Sequence, residues 1–288
     1  MNIMKFRPLF LVISLFLLIS SLLSIIFWGF KPSIDFIGGA DWQINLPSNP
    51  DNSKIEEIFS KNNISNLVIV HNNTQYDLSF QDINTDQKNT LDKAIKVLDS
   101  NYTELKYESL GPTLGKELLQ KTITAIILSS FFLLLFIGRR FKDLTFGTSA
   151  VLAMFHDTFI LVGCFSILGH FFGAELDSLF VTALLTTLSS SVHDTVVTFN
   201  RMRELKNKNF TIDWVDLANE AVTETLSRSI NNSMTIVFML LSLVVLGGST
   251  TKWFATALLI GVICGTYSST GVAIPLVIFF KKHAKKKF

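Results

Sequence analysis

The feature that most constrains this chain is a series of apolar runs, each long enough to cross a lipid bilayer as a helix. A bilayer core of roughly 30 Å needs about 20 apolar residues in helical form. Six segments of the 288-residue chain approach or exceed that length. They cover approximately residues 9–28, 122–138, 144–168, 178–199, 230–246 and 253–280.

The composition excludes an ordinary soluble domain. Hydrophobic residues make up 49% of the chain and charged residues 17%, and the mean hydropathy is +0.42. We therefore predict a polytopic α-helical membrane protein with six transmembrane helices. The first run is longer than the apolar core of a signal peptide, roughly 7–15 residues, and FWGFKPS lacks a small-residue cleavage site. We expect it to remain as an uncleaved membrane helix.

The six runs divide the chain into four parts. In chain order we predict a first transmembrane helix over 9–30, an extracytoplasmic α+β domain over 31–120, a five-helix transmembrane bundle over 121–280 with a cytoplasmic loop over 200–229, and a basic cytoplasmic tail over 281–288. The loop is expected to be largely helical and to lie along the inner membrane surface. Asp213 is its predicted helix cap.

Basic residues cluster on one side of the predicted membrane. Because lysine and arginine near helix ends remain in the cytoplasm, their distribution predicts that both termini lie inside. The inside group comprises Lys5, Arg7, Arg139, Arg140, Lys142, Arg201, Arg203, Lys206, Lys208, Arg228, Lys281, Lys282, Lys285, Lys286 and Lys287, whereas the short outside loops hold only Lys252. We interpret the KKHAKKK tail as an anchor near anionic lipid, in preference to a nucleic-acid site.

The extracytoplasmic part has the pattern of a small α+β domain. GADWQINL, LVIVH, YDLSF and TELKYESL read as strands, and NNTQ as a hairpin connection. SKIEEIFSKNN reads as a helix capped by Ser53 with Glu56 three residues later. A second, amphipathic helix places Leu91, Ile95 and Leu98 on one face. The resulting β-α-β-β-α-β order predicts a ferredoxin-like fold.

Two aspartates fall inside the apolar runs, and each follows a histidine. Asp157 stands in AMFHDTFILVG and Asp194 in SSVHDTVVTFN. An aspartate at the centre of a spanning helix costs roughly 2.5–3.5 kcal/mol on insertion scales, so it normally faces the bundle interior and has a partner. Each aspartate is either a neutral or hydrogen-bonded contact between helices, or a titrating group.

Asp194 has a candidate cation at the start of the fifth run. Arg228, Asn231 and Asn232 are spaced i, i+3, i+4 and share one helical face. With Asp194, and with His193 and Asp157 in support, they predict a polar seam through the bundle. A carboxylate that alternates between an arginine and water can carry protons. The alternative for Arg228 is a snorkelling residue at the membrane interface.

Other site chemistries find no support in the sequence. It contains no P-loop, no HExxH zinc motif and no GxSxG nucleophile elbow. Cys164 and Cys264 both fall inside apolar runs, where they are interpreted as core residues. We therefore expect no enzymatic activity, no cofactor and no metal.

Four glycines are candidates for close packing or hinge motion. Gly261 and Gly265 have the small-xxx-small spacing that lets membrane helices approach each other closely. Gly38 and Gly39 follow the first run, where they permit either a static turn or a hinge for the outer domain. Pro275 is expected to kink the last helix.

Six ordered motifs resemble one known family. They are SIDFIGGADWQI, GPTLGKELLQKTI, HDTFILVGCFSILG, SVHDTVVTFNRMRE, TLSRSINNSMT and ALLIGVICGTYSS. Together the motifs resemble the SecF family, the smaller partners of SecD in bacterial protein export and a branch of the resistance–nodulation–division superfamily. The resemblance covers nearly the whole chain, and only the outer domain is weakly diagnostic.

The resemblance implies a function as well as a fold. Family members sit in the bacterial cytoplasmic (inner) membrane and work with SecD, so twelve helices form one unit. They use the proton-motive force to complete preprotein translocation through the SecYEG channel, and YidC/YajC are further candidate partners. The family's proton-carrying aspartate corresponds to Asp194 and its arginine to Arg228.

Two positions depart from the family pattern. His193 stands where relatives usually carry asparagine, and it would add a titrating group beside Asp194. Asn200 replaces a second acidic residue, which suggests that this outer carboxylate is dispensable. Two other functions stay open: a non-transporting scaffold of the translocase, and half of a lipid or drug exporter of the same superfamily.

Overall fold

The chain folds into two units, described by a computed structural model that covers residues 2–141 and 143–284. One unit combines residues 1–31 with 124–288, and the other comprises Pro32–Ile123. The predicted topological residue Lys142 and the tail residues 285–288 lie outside the described residues. In chain order the elements are a short 3-10 turn Ile3–Phe6, α1 Arg7–Trp28, α2 Ile34–Ile37, β1 Gly39–Asn45, α3 Asn52–Lys61, β2 Val68–Asn72, β3 Gln75–Phe80, α4 Thr85–Leu98, β4 Thr103–Leu110, α5 Pro112–Arg140, α6 Leu144–Phe172, α7 Ser178–Lys208, α8 Trp214–Leu246, α9 Ser249–Ser268, a π-helical segment Ser269–Ala273 and α10 Ile274–Ala284.

The smaller unit is built on a four-stranded antiparallel sheet. Its strand order is β2-β3-β1-β4, and the elements follow the order β-α-β-β-α-β along the chain. Trp42 of β1 pairs with Leu78 of β3, and both side chains are fully buried. Helix α4 covers them with Leu91 and Ile95, which are also fully buried. The apolar side chains that alternate along the strands and those that recur every 3.6 residues on α4 therefore pack in one core.

Two local features of this unit refine the prediction. Strands β2 and β3 form a hairpin in which Asn72 pairs with Gln75, and the turn residue Asn73 has a positive φ of 54°. Asparagine tolerates this left-handed conformation better than most residues. The predicted cap at Ser53 is wrong, because α3 begins at Asn52 and the cap position falls on Asp51, two residues before Ser53. Aspartate and serine are similarly good caps, so sequence alone did not separate them.

The larger unit contains long apolar helices. Five helices of the described residues are long and apolar enough to cross a membrane: Ile3–Trp28, Pro112–Arg140, Leu144–Phe172, Trp214–Leu246 and Thr251–His283. Six were predicted. The remaining helix, α7, has 31 residues and thus a length of about 46 Å. It has spanning length, but its hydroxyl residues and its charged end make it more polar than the other five.

The predicted loop over 200–229 is largely helical and belongs to two long helices. Helix α7 continues without a break to Lys208, and α8 begins at Trp214, so most of this segment consists of the ends of two long helices. Arg201 of α7 forms an ion pair with Glu224 of α8 across the extensions. The predicted cap is confirmed, since Asp213 accepts a hydrogen bond from the backbone of Val215 at 3.1 Å.

Helices α1 and α6 pack through small and hydroxyl residues. Ser24 donates a hydrogen bond to the carbonyl of Gly163 at 2.8 Å, and Ser166 donates to the carbonyl of Ser24 at 3.0 Å. Ser21 is buried against Gly163, whereas many large apolar side chains of α1 are exposed. This arrangement is typical of membrane helices. Lipid tails are as apolar as the side chains, so burying apolar side chains does not drive association, and close backbone packing and hydrogen bonds hold the helices together.

The last run is interrupted before Pro275. The π-helical segment Ser269–Ala273 separates α9 from α10, and Gly271 in it lies against Tyr267 and Phe10. Tyr267 donates a hydrogen bond to the carbonyl of Phe10 at 2.5 Å, which ties the segment to α1. Proline cannot supply a backbone donor, and single π turns absorb such defects within helices.

We expect Gly163→Ala to destabilise the contact between α1 and α6. A Cβ at Gly163 would overlap the backbone and side chain of Ser21, and overpacking of this kind costs about 1–3 kcal/mol. Gly147→Ala on the same helix is the control, because a Cβ there meets nothing within 4 Å. Thermal unfolding in detergent should show a lower midpoint for Gly163→Ala only. Equal midpoints for the two variants would contradict this packing.

The second prediction concerns Asp99 in the smaller unit. The backbone amide of Ser48 donates a hydrogen bond to Asp99 Oδ2 at 2.8 Å, and the backbone amide of Asn101 donates to Oδ1. These hydrogen bonds hold the pKa of Asp99 below its usual range, against the opposing effect of burial. A depressed pKa stabilises the fold above the unfolded value of about 3.9, and this contribution is lost as pH falls through the folded pKa. Asp99→Asn should therefore accelerate amide hydrogen exchange at Ser48 and Asn101 near neutral pH.

The acceleration caused by Asp99→Asn should become smaller toward acid pH, because the carboxyl of the parent protein is then protonated and is uncharged, like the asparagine. Asp51→Asn provides the control, because Asp51 is exposed and makes no side-chain cap hydrogen bond. An acceleration of the same size at every pH would show that the charge of Asp99 is irrelevant.

Candidate functional site: two carboxyl groups in the helix bundle

Asp157 lies at the junction of three long helices. Its side chain on α6 is fully buried, and its Oδ2 accepts hydrogen bonds from Ser191 of α7 at 2.6 Å and Ser268 of α9 at 2.5 Å. Its Oδ1 lies 2.9 Å from Nδ1 of the preceding His156. Three hydrogen-bonding groups offset much of the cost of burying a carboxylate. Asp157 is thus a polar contact that joins α6, α7 and α9.

Close approach of α7 and α9 makes this junction possible. A Cβ on Gly261 would overlap the side chain of Thr187, and a Cβ on Gly265 would lie 3.3 Å from the Cα of Ser191. The two glycines thus bring α9 against α7 at the level of Ser191, one of the two serines that bond Asp157. The spacing of four residues places both on one face of α9.

His156 is the least satisfied group of this junction. Its side chain is 5% exposed, and its Nε2 has no hydrogen-bond partner among the residues that the structure describes. Most buried polar atoms have a partner, so an exception of this kind has a cost of roughly 1–3 kcal/mol. The imidazole therefore hydrogen-bonds Asp157 through Nδ1, whereas Nε2 has no hydrogen-bond partner among the described residues.

Asp194 occupies a different environment on α7. Its side chain is 16% exposed and accepts a hydrogen bond from Ser229 of α8 at 3.3 Å. His193 is 74% exposed, and its Nδ1 lies 3.7 Å from Asp194 Oδ1. The predicted pair is therefore a partly buried carboxyl beside an open imidazole, while the enclosed histidine–aspartate pair is the one on α6.

A small polar cavity adjoins Asp194. Its volume is about 100 Å³, enough for several water molecules. It is lined by Ser190, His193, Asp194, Asn232, Ser233, Ile236, Val262, Gly265 and Thr266. Ser233 and Thr266 share a 2.6 Å hydrogen bond between α8 and α9 at its wall. Asp194 thus faces a space that can hydrate it inside the bundle.

The structure assembles the predicted seam only in part. Asn232 lines the cavity at Asp194, but Asn231, Asn232 and Arg228 are all exposed. Within the described ranges 2–141 and 143–284, Arg228 forms no ion pair. Asp157 belongs to the separate junction with Ser191. The relay role of Asp194 and Arg228 stays a prediction in this arrangement.

Sequence reasoning missed the hydroxyl residues. Ser191 and Ser268 bond Asp157, Ser229 bonds Asp194, and Thr266 walls the cavity. One signal was available: serine and threonine recur inside otherwise apolar runs, as in SSSVHDT and GTYSST. Such residues commonly bond their own helix backbone, so the sequence does not indicate which of them reach a carboxylate.

The outer glycines adopt conformations that require glycine. Gly38 has φ 77° and Gly39 has φ 135°. A Cβ on Gly38 would lie 2.6 Å from Pro112 Cα, and one on Gly39 would lie 2.7 Å from the carbonyl oxygen of Phe80. Both positions therefore form a tight turn. A hinge role for them stays a prediction.

The described residues contain no group of three or more histidine, cysteine, aspartate or glutamate side chains that could hold a metal ion. Cys164 and Cys264 are free and half-buried. The polar side chains at the two histidine–aspartate pairs carry carboxyl, imidazole, amide and hydroxyl groups, of which the carboxyl and imidazole groups can bind and release protons.

Comparison with known proteins identifies the family. A family model described as "Protein export membrane protein SecD/SecF, C-terminal" matches residues 90–283, more than half of the chain. The chain belongs to the SecD/SecF family. The match includes α5 to α9 and thus both histidine–aspartate pairs.

Relatives named SecF match nearly the whole chain. "Protein translocase subunit SecF" of Thermobaculum terrenum is 36% identical over 285 residues, which cover 93% of this chain and 90% of that protein. The protein of the same name from Anaerolinea thermophila is 33% identical and covers 98% of this chain and 94% of its own length. This SecD/SecF family member is therefore a multi-pass protein of the cytoplasmic membrane, consistent with its apolar helices.

A solved structure shares the fold. The crystal structure of SecDF from Thermus thermophilus, titled "a translocon-associated membrane protein", superposes with a TM-score of 0.88 at 28% identity. The match covers 98% of this chain and 39% of the SecDF chain. A second SecDF structure, in a "Super-membrane-facing form", gives a TM-score of 0.73. The chain thus corresponds to a part of a longer SecDF polypeptide.

We expect Ser268→Ala to destabilise the bundle more than Ser269→Ala. Ser268 donates to the buried carboxyl of Asp157, and a hydrogen bond to a charged group contributes about 1.5–3 kcal/mol. Ser269 is equally buried, but its hydroxyl donates to the backbone carbonyl of Thr266. Thermal unfolding of the two variants is the measurement. A larger loss for Ser269→Ala would show that Asp157 does not depend on Ser268.

Proposed function

We propose that this chain is the SecF-type subunit of the Sec protein-export machinery. Together with SecD it would use the proton-motive force to drive a late stage of preprotein translocation across the cytoplasmic membrane. Relatives named as translocase subunits over nearly the full length support the assignment to the machinery. Asp194 and its surroundings support the proton-driven step.

The observation that carries the proposal is the position of Asp194. A carboxyl within a long membrane-type helix is mostly buried, yet it borders a polar cavity large enough for water. Intramembrane carboxyl groups of this kind mark ion and proton pathways. Asp194 therefore combines an apolar surrounding, which favours the protonated acid, with a route for hydration, which favours ionisation.

Arg228 supplies the second state of the proposed cycle. It precedes Ser229, the residue that bonds Asp194, so its guanidinium starts from an adjacent backbone position. When the arginine approaches, it favours the ionised carboxylate and a proton leaves. When it withdraws, as in the exposed position seen here, the carboxyl takes up a proton from the cavity. Alternation of the two states between opposite sides of the membrane would carry protons across it.

The proposed architecture follows from the same assignment. Adding α7 to the five apolar helices gives six spans with both termini in the cytoplasm, in the manner of the resistance–nodulation–division superfamily. We assign the antiparallel sheet of the smaller unit, with its order β2-β3-β1-β4, to the ferredoxin-like class. This unit would hold emerging preprotein on the outer side.

SecD is the proposed principal partner. In the Thermus thermophilus protein named SecDF, the matched region is about a third of the polypeptide, 35% of its length. A separate SecD chain would supply the remainder, including a second set of six helices. The SecYEG channel, translocating preproteins and YidC/YajC are further proposed partners. We propose no enzymatic reaction and no cofactor for this chain.

Asp194→Asn tests the proposed function. It should abolish the part of preprotein export that depends on the proton gradient, because an amide cannot exchange a proton, while SecD still co-purifies with the subunit. Asp216→Asn makes the same change of charge at an exposed position of α8 and should leave export unchanged. Export is measured with and without an uncoupler that collapses the gradient.

Two outcomes would overturn the proposal in different ways. If Asp194→Asn cells export at the parental rate and respond equally to the uncoupler, the chain is a scaffold and not a proton-driven subunit. If SecD does not co-purify with the parent protein, the assignment to a SecDF unit fails, and half of a lipid or drug exporter becomes the better proposal.

A further inference from the structure

We propose that His156 and Asp157 form a second proton-binding site of the helix bundle, in which the proton is taken up at His156 Nε2. The site is distinct from Asp194, since it lies at the junction of α6, α7 and α9 and has no contact with the polar cavity in the described residues. The proposal that this site binds a proton does not depend on the proposed function, whereas a role of the site in export does.

The hydrogen bonds at Asp157 define the state of the pair before the additional proton binds. Two serine hydroxyls, from Ser191 and Ser268, donate to Oδ2. Oδ1 faces Nδ1 of His156 at 2.9 Å, so one proton lies between these two atoms. With that single proton, the pair consists of a carboxylate and a neutral imidazole and carries a net charge of −1.

His156 Nε2 is the atom that remains available for a second proton. It is buried and has no hydrogen-bond partner among the described residues. Binding of one proton from the solvent to its lone pair forms an N–H bond and brings the net charge of the pair from −1 to zero. The result is the same whether the bridging proton then stays on Nδ1 or moves to Oδ1, because Nε2 carries the added proton in both cases.

The surroundings favour uptake of this proton. Asp157 is fully buried, and no lysine or arginine forms an ion pair with it in the part of the chain that the structure describes. The titratable groups that face its charge are Cys264 and Tyr267 on α9, with Cys164 of α6 near Cys264. All three are uncharged at neutral pH. A net negative charge in an apolar bundle is costly, so neutralising it by proton binding is favourable.

Helix α7 connects this pair with Asp194. Ser191 bonds Asp157 and stands three residues before Asp194, a rise of about 4.5 Å along the helix. Gly265 packs on Ser191 and also lines the cavity at Asp194. Helix α7 and Gly265 thus place the two sites next to each other in the bundle.

The test is a nitrogen NMR titration of His156 in lipid nanodiscs. The chain has five histidines, and the other four, His71, His170, His193 and His283, are exposed. A full-length variant with these four replaced by glutamine leaves His156 as the only histidine and keeps the buried junction intact. Labelled histidine nitrogen then reports the protonation of Nε2 directly.

We expect Nε2 of His156 to change from unprotonated to protonated as pH is lowered. Asp157→Asn should lower the proton affinity of His156 by at least about tenfold, because the anionic partner is lost. Ser269→Ala, next to the bonding Ser268 but with its hydroxyl directed to the backbone carbonyl of Thr266, should leave the titration unchanged. If His156 keeps one protonation state throughout, or if Asp157→Asn does not shift its titration, the proposal is wrong.

The outcome is separable from that of the proposed function. Titration of His156 in a protein whose export ignores the proton gradient would support the second site and reject the relay. A silent His156 in a protein that loses gradient-dependent export through Asp194→Asn would reject the second site and leave the relay in place.

Discussion

The bundle depends on one carboxyl group that three helices share. Asp157 of α6 accepts hydrogen bonds from Ser191 of α7 and Ser268 of α9, and the imidazole of the preceding His156 contacts its other carboxyl oxygen. In lipid, apolar side chains give no preference for one helix contact over another, so polar contacts and close backbones decide the arrangement. The glycines of α9 and the positions of Thr187 and Ser191 follow from this requirement.

The two histidine–aspartate pairs show how environment divides one motif into two roles. On α6 the pair is enclosed and bonded by neighbouring helices, whereas on α7 the aspartate borders a cavity and the histidine is open. The first arrangement holds helices together and leaves one imidazole nitrogen able to bind a proton. The second places a carboxyl beside a cavity that can hold water. The same dipeptide is therefore a helix junction on α6, and the proposed relay site on α7.

Sequence reasoning predicted the elements better than their contacts. Long apolar runs give helices, and alternating strands give the antiparallel sheet, because both patterns follow from burial of one surface. Where α7 ends was not predictable, since its polar extension lies beyond the apolar run and pairs with α8 through Arg201 and Glu224, a contact that the sequence does not indicate. The partners of Asp157 were also not predictable, because a serine inside a helix bonds its own backbone as readily as a distant carboxylate. The exposed position of Arg228 was not predictable either, because helical spacing gives residues that share a face but not what packs against that face.

The charge of Asp157 is the most direct measure of this arrangement. Infrared difference spectroscopy of the protein in lipid, above neutral pH, compares the parent with Asp157→Asn and isolates the vibration of this one side chain. We predict the stretching bands of an ionised carboxylate, because three hydrogen-bonding groups converge on it. The carbonyl band of a protonated acid under the same conditions would contradict the assignment of a charged junction at the centre of the bundle.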